Sequence, residues 1–202
     1  MAATLSQLDD EIVRGMAIGA VFTDYAGKIN CLDFHRKEDL LVTSSEDDSI
    51  RLYNITSATL LKTTYHRKHG VDRVCFTHHP SSILCSSRYN LESAESLRYL
   101  SLYDNRCLRY FKGHKDRVVS LCMSPVNDSF MSGSLDHSVR IWDLRVNACQ
   151  RCGFSLESSP NVATEAAFTP DGQYVISGSG DGTLHAWNIN TIQEVLFLKS
   201  CF

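Results

Sequence analysis

No part of this 202-residue chain is apolar for long enough to cross a bilayer. Its longest uncharged apolar stretch, residues 15–22, falls far short of the roughly 20 residues that a membrane helix needs. The opening MAATLSQLDDEIV carries early acids and lacks a basic segment followed by an apolar one, so no secretory signal is expected. Net charge is small, −3, and by itself points to no class of partner. Collagen-like and disordered biases are absent: hydrophobic residues make up 43% and charged residues 21%, an ordinary globular balance with enough chain for a sizeable core. No phosphate loop of the GxxxxGK[ST] type occurs, and GSGDG at 178–182 leads into no helix, so it reads as a β-turn. Cysteine is not scarce. Several of the eight, as in NCLDF, RVCF and SLCM, sit inside strand-like apolar runs where a free thiol behaves as a small hydrophobe. Buried thiols with no secretory signal predict a reduced compartment.

What is present is repetition. Residues 113–144 open on Gly-His and close on Trp-Asp, with three short apolar runs and two turn signals between them. Partial copies precede and follow. Runs such as INCLDF, LLVTSS, SIRLYNI and TLLKTTY alternate apolar and polar residues and are bounded by turn residues, which predicts short strands. Measured on an aromatic-Asp/Asn dipeptide at Tyr53, Tyr103, Trp142 and Trp187, the units lie 50, 39 and 45 residues apart. A long insertion near 91–96 accounts for the widest gap. No helix of convincing length is expected. The predicted fold is all-β, a propeller rather than a sandwich, because the units repeat in sequence.

The third unit carries Gly113-His114, the SGS of 132–134, Asp136 and Trp142-Asp143, and in these residues the chain resembles the WD40 family. The resemblance implies an incomplete WD40 β-propeller of about four blades. The expected division is a flexible 1–11, a lone strand 12–22 that would close the propeller, and blades at 28–66, 67–112, 113–150 and 151–202, the last with a divergent tail. It also implies a buried hydrogen-bonded tetrad of His114, Ser132, Asp136 and Trp142. The other units are degenerate: the fourth keeps Ser177, Asp181 and Trp187 without Gly-His, the first has Asp47 and Tyr53, and the second has Tyr103 with His69-Gly70 in reversed order.

Longer runs, among them KINCLDF, SSEDDSIRLYN, RYFKGHKDRVVSLCMSP and SGSLDHSVRIWDLR, look like the WD40 subunits of COMPASS-type histone methyltransferase complexes. Such proteins look like seven-bladed propellers of about 280–320 residues, at 40–45 per blade. The expectation is therefore a shortened form, lacking two or so internal blades and the terminal one, with its join near 147–153.

The resemblance implies a nuclear, non-catalytic scaffold of a histone H3 lysine-four methyltransferase complex, without cofactor, membrane partner or sequence-specific nucleic acid. It would link that complex to the phosphorylated tail of RNA polymerase II. A local charge surplus fits an acidic partner: residues 62–117 hold eleven Lys/Arg against five Asp/Glu. Arg67, Lys68, Arg73 and Arg98 are the candidate phosphopeptide contacts. The alternative is a substrate receptor of a cullin-4 ubiquitin ligase, since WDLR at 142–145 resembles an adaptor-docking box, with Asp143 and Arg145 as its candidates. Cys149-x-x-Cys152 has metal or redox spacing but lacks the further ligands zinc requires, as does His78-His79. Ser132, His114 and Asp136 have the residue types of a hydrolytic triad, but the blade pattern explains all three.

Overall fold

In the computed structural model, residues 10–89, 96–146, 149–155, 165–178, 183–191 and 193–199 are described. Among these residues a short helix, α1 (Asp10–Arg14), precedes sixteen strands. They form four antiparallel sheets of four consecutive strands each. The first holds β1 (Ile29–Phe34), β2 (Leu40–Ser45), β3 (Ser49–Asn54) and β4 (Thr59–Tyr65). The second holds β5 (Val74–Phe76), β6 (Ser82–Ser86), β7 (Leu97–Ser101) and β8 (Cys107–Phe111). The third holds β9 (Val118–Met123), β10 (Ser129–Ser134), β11 (Ser138–Asp143) and β12 (Cys149–Ser155). The fourth holds β13 (Ala166–Phe168), β14 (Tyr174–Gly178), β15 (Thr183–Asn188) and β16 (Glu194–Lys199). Among the described residues no helix is long and apolar enough to cross a membrane.

The second and third sheets bury both faces against their neighbours, and the first and fourth bury one each. Val42 and Ile50 of the first sheet pack on Val74, Phe76 and Ile83 of the second. Leu84, Leu97 and Phe111 of the second pack on Val118, Phe130 and Trp142 of the third. Met131, Val139 and Ile141 pack on Val175 and Trp187 of the fourth. The core is thus a series of inter-blade layers, which is why every blade needs a neighbour.

Strand pairing revises the repeat. Phe130 faces Trp142, Leu41 faces Tyr53 and Val175 faces Trp187, and the corresponding pair in the second sheet is Ile83 with Leu100. The third-to-fourth strand ladder also slips at one repeated place: Leu52/Tyr53, Tyr99/Leu100, Ile141/Trp142 and Ala186/Trp187. Leu100, not Tyr103, therefore holds the tryptophan position, and the true spacings are 47, 42 and 45 residues. Tyr103 lies in the turn after β7, 87% exposed. An aromatic-Asp dipeptide in a turn mimics one at a strand end, and only pairing separates them.

Two expected boundaries also change. The third blade was assigned residues 113–150, but its last strand, β12, runs on to Ser155, because ladder bonds need backbone and not apolar alternation. Residues 12–22 are not a strand: α1 is followed by chain without regular structure in which Met16, Ile18 and Val21 are exposed. A strand exists only where another strand supplies its ladder, and this segment is hydrogen-bonded into none of the four sheets.

Tight turns join the strands, and some force non-glycine residues to positive φ. Asp48 and His137, at equivalent places in the β2–β3 and β10–β11 turns, have φ of 61°. The fourth unit has glycine, Gly182, at the matching sequence position. Ala58, in the β3–β4 turn, has φ of 51° with no polar side chain to compensate. Replacing Ala58 with Gly is expected to stabilise the protein by up to about 1 kcal/mol, because the left-handed region costs an L-residue roughly 1–2 kcal/mol and glycine's extra chain entropy offsets only part of that. A shift in the urea midpoint at constant slope would measure it.

Candidate functional site

The best-connected cluster is in the third blade. The Trp142 indole N–H donates to Ser132 Oγ at 2.8 Å. Ser132 Oγ lies 2.7 Å from His114 Nε2, and His114 Nδ1 lies 2.9 Å from Asp136 Oδ2. Because the indole only donates and an ionised carboxylate only accepts, one direction satisfies every atom. Ser132 donates its hydroxyl proton to Nε2, and His114 donates its Nδ1–H to Asp136. Asp136 also accepts from the Lys115 backbone N–H at 2.8 Å and from Ser138 N–H and Oγ at 3.0 and 2.6 Å. Burial would raise the Asp136 pKa. The bonds from His114, Ser138 and Lys115 outweigh it and hold the carboxyl well below its usual range. The four residues named from sequence are therefore brought together. Ser132 is fully buried with its hydroxyl committed at both ends, so the cluster presents no nucleophile to a substrate.

Applying the same offsets to the other blades finds a residue that sequence reading missed. His114 lies 18 residues before Ser132, and Tyr25 lies 18 before Thr43, the residue paired like Ser132 in the first sheet. The Tyr25 hydroxyl hydrogen-bonds Thr43 Oγ1. Arg51 sits 4.2 Å over the Tyr25 ring and bonds Asp47 Oδ2 at 3.1 Å. Phe22 packs on Tyr53 at 4.3 Å, as Phe111 packs on Trp142 at 5.8 Å. The N-terminal segment thus occupies the place that the end of a preceding blade takes elsewhere, although it forms no strand. The signal was the 18-residue offset shared by the first and third blades, hidden because tyrosine replaces histidine. In the fourth blade Ser177 and Trp187 are buried, while Asp181 lies outside the described residues.

The basic candidates separate into two kinds. Arg67 and Lys68 are exposed in the link between β4 and β5, and Arg73 is half-buried. They lie at the end of the blade that carries the β2–β3 turn, since the His66 N–H donates to Asp48 O. Arg98 is corrected: it is 2% exposed and its guanidinium donates to Gly70 O at 2.6 Å, inside the second blade. It pairs with Cys85 as Arg51 pairs with Thr43 and Arg140 with Ser132, so it fills a repeated structural position. Alternation could not place it, because both faces of a propeller blade are buried.

Arg98 also affects its neighbour. Burial, then the charge of Arg98 and then His69, push the His66 pKa down to about 4. The unfolded chain, with an ordinary histidine near 6.5, takes up the proton first as pH falls. Stability from this group is therefore complete above pH 6.5 and is lost between there and about pH 4. The loss is expected to stay below about 1.4 kcal/mol per pH unit, since solvent screens the partly open ring. Urea midpoints across this window should fall with pH, and less steeply in His66→Gln.

The ligase candidates form one unit. Asp143 is buried and Arg145 exposed. The Arg145 Nε–H and Nη2–H donate to Asp143 at 2.9 and 2.7 Å, and its backbone N–H donates at 2.7 Å. The guanidinium edge that a partner carboxylate would grip is already used internally. Of the cysteines, Cys31, Cys75, Cys85, Cys107 and Cys122 are free, and burial raises the Cys75 and Cys85 thiol pKa values. Cys149 is disulfide-bonded. The Cys152 side chain lies outside the described residues. Among those residues no group of His, Cys, Asp and Glu could hold a metal.

The repeated sheets, the register-locked tryptophan position and the tetrad define a propeller blade, and the chain belongs to the WD40 family. The WD domain, G-beta repeat family matches residues 18–54, 105–143 and 150–188. The first match takes in Tyr25, and none takes in most of the second blade, where leucine stands for tryptophan.

Among curated proteins the chain is 52% identical to Protein ANTHESIS POMOTING FACTOR 1 of Arabidopsis thaliana, covering 95% of this chain and 84% of the relative. That alignment runs over 278 residues, whereas 95% of this chain is only about 192, so about 86 positions of the relative have no counterpart here. At 40–45 residues per blade this is the length of two blades. The chain is 39% identical to Set1 complex component swd2 of Schizosaccharomyces pombe, over 69% of this chain and 38% of the relative. It is 36% identical to COMPASS component SWD2 of Saccharomyces cerevisiae, over 85% of this chain and 50% of the relative. The chain spans half or less of the length of these two yeast relatives.

Proposed function

We propose that this chain is a non-catalytic scaffold subunit of a nuclear histone H3 lysine-four methyltransferase complex of the COMPASS type. The observation that carries the reading is the similarity to the two yeast complex components across most of the chain. The sealed Ser-His-Asp cluster supports a scaffold role, because those groups are spent on holding a blade. Purifying the tagged chain from nuclei and identifying its partners by mass spectrometry tests this. Methyltransferase core subunits are the expected partners, and their absence alongside a cullin-4 adaptor would favour the ligase reading. That second reading rests on the resemblance of residues 142–145 to an adaptor-docking box and on the exposure of Arg145. Arg145→Ala should then lose the adaptor.

We further propose that the scaffold contacts the phosphorylated polymerase tail through Arg67 and Lys68. Both are exposed on one loop, and charge-assisted bonds to phosphate are strong. Double charge reversal, Arg67→Glu with Lys68→Glu, is expected to weaken binding of a phosphorylated tail peptide at least tenfold, about 1.4 kcal/mol. Unchanged affinity by fluorescence anisotropy would remove this loop from the account.

A further inference from the structure

The two ends of the blade array expose opposite halves of an interface that the molecule builds three times inside itself. In each internal layer, the trailing face of one blade packs on the leading face of the next. Ile50 belongs to the trailing face of the first blade and Phe76 to the leading face of the second, and both lie in one cluster. Leu97 and Met123 share the second such cluster.

Register identifies the corresponding residues at the two ends. Phe34 pairs with Leu41 as Phe76 pairs with Ile83 and Met123 with Phe130. Phe76 and Met123 are 4% and 6% exposed, but Phe34 is 57% exposed, with Leu32 open beside it. At the other end, Leu184 pairs with Gly178 as Val139 pairs with Gly133 and Ile50 with Ser44. Ile50 and Val139 are 2% and 0% exposed, whereas Leu184 is 39% exposed. Phe76, Met123, Ile50 and Val139 are dry inside the array, whereas their counterparts Phe34 and Leu184 are open at its ends, so the ends do not cover each other.

We propose that a second copy of this chain covers them. The leading face of one copy, Leu32 and Phe34, receives the trailing face of the other around Leu184, head to tail. Head-to-tail contacts are heterologous, and they end only when the array closes. Two arcs of four blades close into eight, which is within the range of propellers. Closure also removes the exposed sheet faces and edges that make an open array prone to association. The choice of occupant follows from complementarity: each end is the mate of the other by the same register that joins the internal blades.

Sedimentation of the purified 202-residue chain tests this. The expected mass is twice 22.7 kDa at micromolar concentration. Phe34→Glu alone and Leu184→Glu alone should each run as monomers with an unchanged far-ultraviolet spectrum, since both sites are exposed. Mixing the two variants should restore association, because the intact trailing face of the first meets the intact leading face of the second. A wild-type monomer at all concentrations overturns the proposal. So does a dimer that Leu184→Glu leaves intact, which would be a face-to-face contact, and so does open-ended growth past two copies.

Discussion

Replacing Trp142 with Ala is expected to destabilise the protein by about 3–5 kcal/mol, the range for removing a large buried aromatic. That is a large share of the 5–15 kcal/mol that holds a typical domain folded. Three losses add up. The fully buried indole fills the layer between the second and third blades, with Phe111, Phe130 and His114 at 5.8, 6.1 and 6.0 Å. Its N–H starts the hydrogen-bonded series that runs through Ser132 and His114 to Asp136. The resulting cavity opens toward both sheets, so neither can collapse into it alone. Trp142→Phe separates these contributions: it keeps most of the packing and removes the donor, and should cost about 1–2 kcal/mol, the value of one buried hydrogen bond with its partner left behind. Urea unfolding of the two variants measures both. Equal losses would mean that the hydrogen bond, and not the packing, dominates.

Arg98→Glu is expected to unfold the second blade, with a loss of about 3–5 kcal/mol, the cost of leaving an uncompensated charge buried. The guanidinium donates to Gly70 O, and a carboxylate in its place would face that carbonyl with no proton to offer. The contrast with Arg67→Glu and Lys68→Glu is the informative part. Those side chains are exposed, so their reversal should leave thermal stability within about 0.5 kcal/mol of wild type. A calorimetric scan that ranked the three alike would refute this division of the basic residues into one structural and two surface groups.

Much of the fold was legible in the chain. Alternation, turn residues and a period of 40–45 residues are properties of the backbone and its covalent neighbours, and they specify strands, sheets and repeats without reference to tertiary contacts. The third-blade tetrad was legible through the family resemblance, since Gly113-His114, Ser132, Asp136 and Trp142-Asp143 match the WD40 pattern that implies it. Tertiary structure decided what depends on a partner strand. Leu100 rather than Tyr103 holds the tryptophan place because β6 and β8 set the register of β7. Arg98 is inside and Arg67 outside because a blade is covered on both faces while its links are not. Residues 12–22 have a strand-like sequence but no ladder to join, and Tyr25 acquires its role only when it reaches Thr43. Sequence alone determined which residues could share a face, while the neighbouring blade determined whether that face was buried, as the contrast between Phe34 and Phe76 shows.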